Sequence, residues 1–303
     1  NDATAKDIKL ALREGFRSIE HVKRYTTTGM GTDQGKLGNM HALGIISETA
    51  GSKMGELGTT TFRPPYTPLT FGTIVGRNVG EYFDVSRKTP IHDWHVENKA
   101  KFENVGQWKR AWFYPKENEG MHEAVQRESK AARDSAGILD ASTLGKIDIQ
   151  GTDASEFLNR VYTNAWSKLA IGKCRYGLML NEDGMVYDDG VTTRLDENHY
   201  IMTTTTGGAA TVLGKLEDYL QTEWPELDVY LTSVTDHYAT ISVCGPNSKK
   251  IISKVIPNLD LSDEKFPHMS FRNTKIDKVK CRVMRISFTG EQSYEINAQA
   301  NYG

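Results

Sequence analysis

Cysteine is scarce: Cys174, Cys244 and Cys281 are the only three in 303 residues. The number is odd and no CxxC or Cys/His spacing accompanies it, so neither a disulfide framework nor a zinc site is indicated. No run nears the roughly 20 consecutive apolar residues of a membrane span, and NDATAKDIKLALREGF lacks the apolar stretch of a secretory signal. An excess of charge is lacking too. Lys plus Arg number 37 and Asp plus Glu 39, a formal net charge of -2, so no global field draws the chain to nucleic acid or an anionic membrane. Fixed-period repeats are absent, which argues against a solenoid or propeller. What remains is an ordinary globular composition, 38% hydrophobic with 27 glycines, expected to be soluble and cytoplasmic. Its length fits about two domains. Because it starts at Asn1 rather than Met and stops at Gly303 right after a strand-like run, it is expected to be a piece of a longer polypeptide.

Three stretches follow one another. Ile8, Ala11, Leu12 and Phe16 recur at helical spacing, as do Ile19, Val22 and Lys23. A loop rich in threonine and glycine, YTTTGMGTDQGK, then leads to a helix around Leu37 to Ala50. From Gly51 to about Pro115 turn formers and aromatics dominate. The prolines of GTTTFRPPYTPLTFG force extended backbone and read as a surface-hugging connection. From Met121 a charged helix runs to Gly137, a candidate C-cap. Strand and helix patterns alternate thereafter: KIDIQG has period two, and Asp153 to Glu156 resembles a capping box. CRYGLML and MVYDDGVTTRL pair as a hairpin about Asn181 to Gly184. HYIMTTTT, a helix after Gly207-Gly208, YATISVCG, a helix begun at Pro246 and KCRVMRISF complete a set that favours α+β with antiparallel sheets.

Within this frame few residues carry chemistry. Asp188 and Asp189 are adjacent in a strand and must point to opposite faces, so at most one enters a given pocket. An inward carboxylate serves as a base or as an acceptor for an amine; a turn-stabilising aspartate is the simpler reading from composition. Glu295 faces away from Tyr294 and Ile296. Solvent-side decoration is its plain reading, and bidentate acceptance from an aminopyrimidine edge its functional one. Glu291 reads as turn-proximal and solvated. The loop from Arg24 to Lys36 offers hydroxyls, glycines and backbone N–H groups before a helix, the makings of an anion cradle, but meets no nucleotide-loop motif. His92 and His95 lack a third ligand and read as capping or surface residues, and no metal site is expected.

The order TPIHDWHVENKAKFENVGQWKR, GILDASTLGKIDIQGTDASEFLNRV, YGLMLNEDGMVYDDGVTTRL, VCGPNS and ISFTGEQSYEI resembles the tetrahydrofolate-binding aminomethyltransferases, the family of the glycine cleavage T-protein. The preceding ninety residues, with REGFRSIEHVKRYTTTGMGTDQGK and GTTTFRPPYTPLTFG, resemble the middle of the alpha-subunit family of heterotetrameric sarcosine oxidases. The resemblance implies an α+β, mixed or antiparallel aminomethyltransferase fold over 89–303, C-terminally incomplete. A small helical region at 1–50 and an irregular segment at 51–88 would precede it. It also implies an enzyme subunit that is inactive alone: a flavin in a partner subunit oxidises sarcosine, and folate held here captures the one-carbon unit as 5,10-methylenetetrahydrofolate, leaving glycine.

By the same resemblance, Asp189 matches the catalytic aspartate, with Asp188 as the alternative if the register slips by one. Glu295 holds the pterin, Tyr176 lines the slot, and Phe288 stands where relatives often have tyrosine. FMN lies at a subunit boundary against the loop, where Arg24, Thr26, Thr27, Thr28 and Gln34 are expected to bind its phosphate. FAD and NAD belong elsewhere in the assembly, and the beta subunit is the foremost partner. A stand-alone folate-dependent transferase and a non-catalytic scaffold are the competing readings.

Overall fold

The computed structural model describes residues 2–77, 80 and 85–303, which form two compact units, Asn1–Phe83 and Asp84–Gly303. In the first, α1 (Ala5–Arg13), α2 (Ile19–Thr26) and α3 (Gly38–Ala50) follow the apolar spacing of the sequence. Thr4 and Asp7 close a capping box at the start of α1, satisfying N–H groups that the helix itself leaves orphaned. Ile8, Leu12, Val22, Leu43 and Ile46 bury their faces together. Two short helices, α4 (Met54–Leu57) and α5 (Phe71–Val75), follow. Between them residues 58–70 form neither helix nor strand, and α5 begins only beyond Pro68, the last proline of that stretch.

The second unit opens with β1 (Arg87–Lys88), α6 (His92–Glu97), β2 (Lys101–Val105) and β3 (Trp108–Phe113). The strands form a small sheet in the order β1-β3-β2. The expected plain connection across this region is therefore corrected: Gly106, at φ 59°, supplies the tight turn of a hairpin, at the first central position where type II′ turns take glycine. Next come α7 (Met121–Asp134), β4 (Gly137–Asp140), β5 (Gly145–Gln150), α8 (Ala154–Val161), β6 (Cys174–Leu180), β7 (Val186–Asp196) and β8 (His199–Thr204). The chain continues with α9 (Ala209–Asp218), β9 (Tyr230–Ser233), β10 (Tyr238–Cys244), α10 (Ser248–Val255), β11 (Ser270–Ile276), β12 (Val279–Arg285) and β13 (Ser293–Gln299).

Local expectations need three corrections. Gly137 is the first residue of β4 rather than a cap; α7 stops at Ser135. Asp153 makes no capping bond at α8, because its carboxylate accepts from the Asp228 N–H instead. The helix after Pro246 begins at Ser248.

Two five-stranded antiparallel sheets, ordered β11-β12-β13-β10-β4 and β6-β7-β8-β5-β9, carry the α+β fold. Strand alternation gives each sheet two chemically different faces. On one sheet Ile147, Ile149, Tyr200 and Met202 pack against Phe157 and Leu158 of α8 and Val212 and Leu216 of α9. On the other, Val243, Val283 and Tyr294 pack against Ile252 of α10. The opposite faces meet, with Cys174 and Val191 of one against Phe271 and Met284 of the other. The edge strands also touch: Cys174 N–H donates to the Met269 carbonyl and Phe271 N–H to that of Gly172.

Candidate functional site

The space between the sheets collects polar side chains because each strand alternates. Register places Tyr176, Leu178, Asp189 and Val191 on one face of the hairpin, with Cys174 and Thr193, while Asp188 takes the other. Lys146 lies opposite Thr203 on that inner face. Across the gap Glu295 is in register with Met284 and Ser242, and Asn297 with Arg282 and Thr240. Lys146, Thr203, Arg282, Met284, Glu295 and Asn297 line a cavity with room for about one water molecule.

Each carboxylate has a distinct environment. Tyr176, 50% exposed, donates its hydroxyl to Asp189 Oδ2 at 2.9 Å. Asp188, 5% exposed, accepts from the Thr205 hydroxyl at 2.6 Å and the Thr205 N–H at 3.2 Å. Burial pushes its carboxyl above the ordinary range against those bonds. Two glycines make this packing possible. A Cβ on Gly190 would lie 1.9 Å from the Thr203 carbonyl oxygen, and one on Gly208 2.8 Å from Asp188 Oδ1. Asp188 thus serves the turn ahead of α9, and the inner face receives Asp189.

Glu295 is 8% exposed, which corrects its solvated reading: the second sheet covers the face that one strand's alternation leaves open. It accepts from Asn297 Nδ2 at 3.2 Å, and the Thr240 hydroxyl donates to Asn297 Oδ1 at 2.8 Å. Burial raises its carboxyl, opposed by the charge of Lys146. Glu291 is partly covered and pairs with Arg133. Phe288 is 88% exposed in the loop beyond β12, outside the strand expected for it.

His95 is buried rather than on the surface. With Asp140 held ionised, its Nε2–H donates to Asp140 Oδ2 at 2.9 Å, and Nδ1 is hydrogen-bonded to the Tyr114 hydroxyl. Burial raises the Asp140 carboxyl, but hydrogen bonds from His95 and Ser142 outweigh it and lower it overall. Burial and the charges of Asp140 and Glu128 push the Tyr114 hydroxyl up to about 12.

The Thr/Gly loop places its candidates differently. Arg24 donates to the Glu20 carbonyl and carboxylate, Thr26 to the Val22 carbonyl, and Gln34 to the Gly31 carbonyl while accepting from Arg63 N–H. Thr27, at φ 61°, ends α2. A cavity of about 240 Å³ lies alongside, with Thr4, Thr28, Asp33 and His41 on its wall; Arg24, Thr26, Thr27 and Gln34 do not reach it, and no Lys or Arg lines it among the described residues. Among the described residues no cluster of His, Cys, Asp or Glu could hold a metal ion, and no helix is long and apolar enough to cross a membrane.

Sequence reasoning passed over Lys146, Asn297, Arg282 and the His95–Asp140–Tyr114 trio. The one available signal was polar residues at alternate positions of KIDIQ and SYEINAQ, whose intervening residues are apolar.

Comparison with known proteins now bears on the site. Residues 91–303 match the GCVT N-terminal domain, and residues 1–77 the sarcosine oxidase A3 domain. The chain is 52% identical over 304 residues to the sarcosine oxidase subunit alpha of Corynebacterium sp. strain P-1, covering all of this chain and 31% of that protein. It thus spans about a third of the length of that relative. An aminomethyltransferase of Chlorobium phaeovibrioides is 30% identical over 210 residues, 69% of this chain and 54% of that protein. The crystal structure of the glycine cleavage system aminomethyltransferase T from Bartonella henselae superposes with TM-score 0.61 at 24% identity, over 72% of this chain and 55% of that one. It shares the fold.

Proposed function

The chain belongs to the GCVT N-terminal domain family, and on that premise we propose that it is the folate-binding part of a sarcosine oxidase alpha subunit. The observation that carries the reading is that two carboxylates lie on the inward faces of the two facing sheets. Asp189 lies on the inner face of the hairpin and Glu295 on the facing sheet, while Asp188 is turned away. Kinship along the full chain to a sarcosine oxidase alpha subunit supports the wider assignment.

The residues suit tetrahydrofolate chemically. Glu295 is an acceptor for an aminopyrimidine edge, Tyr176 presents half a ring for stacking, and Asp189 can accept a proton from a secondary amine. The space as packed is narrow, and the flexible side chains of Met284 and Arg282 are the wall groups whose rotation would widen it. When bound, the reduced folate supplies the nucleophilic nitrogen that takes up a one-carbon unit from the imine of sarcosine oxidation, giving 5,10-methylenetetrahydrofolate and glycine. Asp189 orients that amine and takes its proton, a role that demands hydrogen-bond reach. Tyr176 holds Asp189 by donating to Oδ2 and leaves Oδ1 for the ligand. Glu295 fixes the ring, with Asn297 setting its rotamer.

Oxidation itself belongs to a flavin in a beta-type partner. The loop from Arg24 to Lys36 is assigned to the FMN boundary, and FAD and NAD to other parts of the assembly. The test is Asp189→Ala in the assembled enzyme. Output should move from methylenetetrahydrofolate to formaldehyde, as water takes the imine, while flavin reduction by sarcosine stays near normal. Flavin reduction lost in step with folate product would sink the assignment.

A further inference from the structure

Lys146 is only 1% exposed, and lysine is almost never so deeply buried unless paired. Its ammonium donates to the carbonyls of Leu144, Ser142 and Ala141 at 2.9, 3.3 and 3.4 Å, which occupies all three N–H groups. Those acceptors are neutral and fix the ammonium without cancelling its charge. The carboxylate facing it across the cavity is Glu295, with Arg282 and Asn297 beside them. Burial lowers Lys146 to about 8, and the charges of Glu295, Asp140 and Asp236 work against that, Glu295 foremost. In return Lys146 is the principal group opposing the burial that leaves the Glu295 carboxyl raised overall.

No direct ion pair joins the two, so the coupling acts through the low-dielectric gap. A lone carboxyl in such a place would take up a proton. Protonated, Glu295 would present an O–H toward a ligand edge that itself donates. We infer that Lys146 is a positioning residue for ligand recognition: its pinned ammonium favours the ionised, acceptor-only form of Glu295, which faces the inter-sheet space. The inference rests on the folate reading above for the identity of the ligand, and on the cavity alone for the charge coupling.

The experiment uses the full chain with any partner it carries and 5-formyltetrahydrofolate as the probe. Lys146→Met should weaken binding about tenfold or more near neutral pH. Its affinity should then rise with pH over a higher range than that of the unaltered protein, because Glu295 ionises only later. The double variant with Glu295→Gln should bind no more weakly than Glu295→Gln alone. Unaltered affinity with an unshifted profile, or losses that simply add, would overturn the inference. Should Lys146→Met fail to melt cooperatively, infrared difference spectra of the unaltered protein, with Glu295→Gln identifying the band, decide the point. A carboxylate band at neutral pH supports the coupling and a protonated carbonyl band refutes it. Absence of folate binding by the unaltered protein would instead refute the proposed function, and the infrared band would still decide the role of Lys146.

Discussion

Replacing Asp140 by alanine should be among the most damaging single changes in the second unit. The carboxylate is 7% exposed and accepts from His95 Nε2 and Ser142 N–H, each at 2.9 Å. Alanine leaves both donors buried, and an orphaned donor costs about 1–3 kcal/mol, so the two together match the roughly 3–5 kcal/mol seen when one partner of a buried pair is removed. For a unit of this size each kcal/mol moves the melting temperature by about 2–4 °C, so a drop of about 6–20 °C is expected by calorimetry.

The acid side has a definite sign. The folded carboxyl lies below its unfolded value, so its contribution is present above the unfolded value of about 4 and is lost as pH falls through the folded one. The gap between the unaltered protein and Asp140→Ala should therefore narrow in acid. A loss below about 1 kcal/mol in urea with an unchanged m-value would refute the reasoning, since a typical neutral hydrogen bond alone is worth that much.

Two other changes probe the walls of the site. Gly190→Ala should destabilise by about 1–3 kcal/mol or more in urea melts, because its Cβ would collide at 1.9 Å with a backbone carbonyl that cannot turn aside; unchanged stability would show that β7 and β8 are farther apart. Asp188→Asn should remove a pH dependence: a folded carboxyl raised by burial makes the unaltered protein lose stability as pH rises from about 4 through the folded value. The difference in melting temperature between the two proteins, followed across that window, should slope accordingly.

Much of this was legible in the strands and little of it between them. Alternation separates Asp188 from Asp189 and aims Glu295 away from Tyr294 and Ile296, and the register bears out both. What alternation cannot say is whether the face a residue points to is wet. Glu295 is dry because β6, β7, β8 and β5, distant in sequence, lie over it. The same blindness hid His95, whose partner Asp140 stands 45 residues away at the end of β4. The Thr/Gly loop shows a different limit of composition. Composition collected its hydroxyls and cations into one cradle, but local backbone acceptors claim Arg24 and Thr26 first, as short polar side chains commonly do.

The placement of the site follows from an energetic conflict inside the fold. A sheet with one face under helices ordinarily turns a polar face to water. Here the polar faces of two such sheets are turned toward each other, so Lys146, Thr240, Arg282, Glu295 and Asn297 must find partners in protein. They do so incompletely, since Arg282 Nε lies buried without one. Apolar residues would fill the gap at lower cost. A core that keeps charges where hydrocarbon would serve breaks a local packing rule, and such breaks concentrate where function requires them. Directly beside that cavity, Cys174, Phe271, Met284 and Ile286 pack conventionally. The polarity is therefore local, gathered around Lys146, Arg282, Glu295 and Asn297, and it is to this part of the inter-sheet space that the proposed folate reading assigns a ligand.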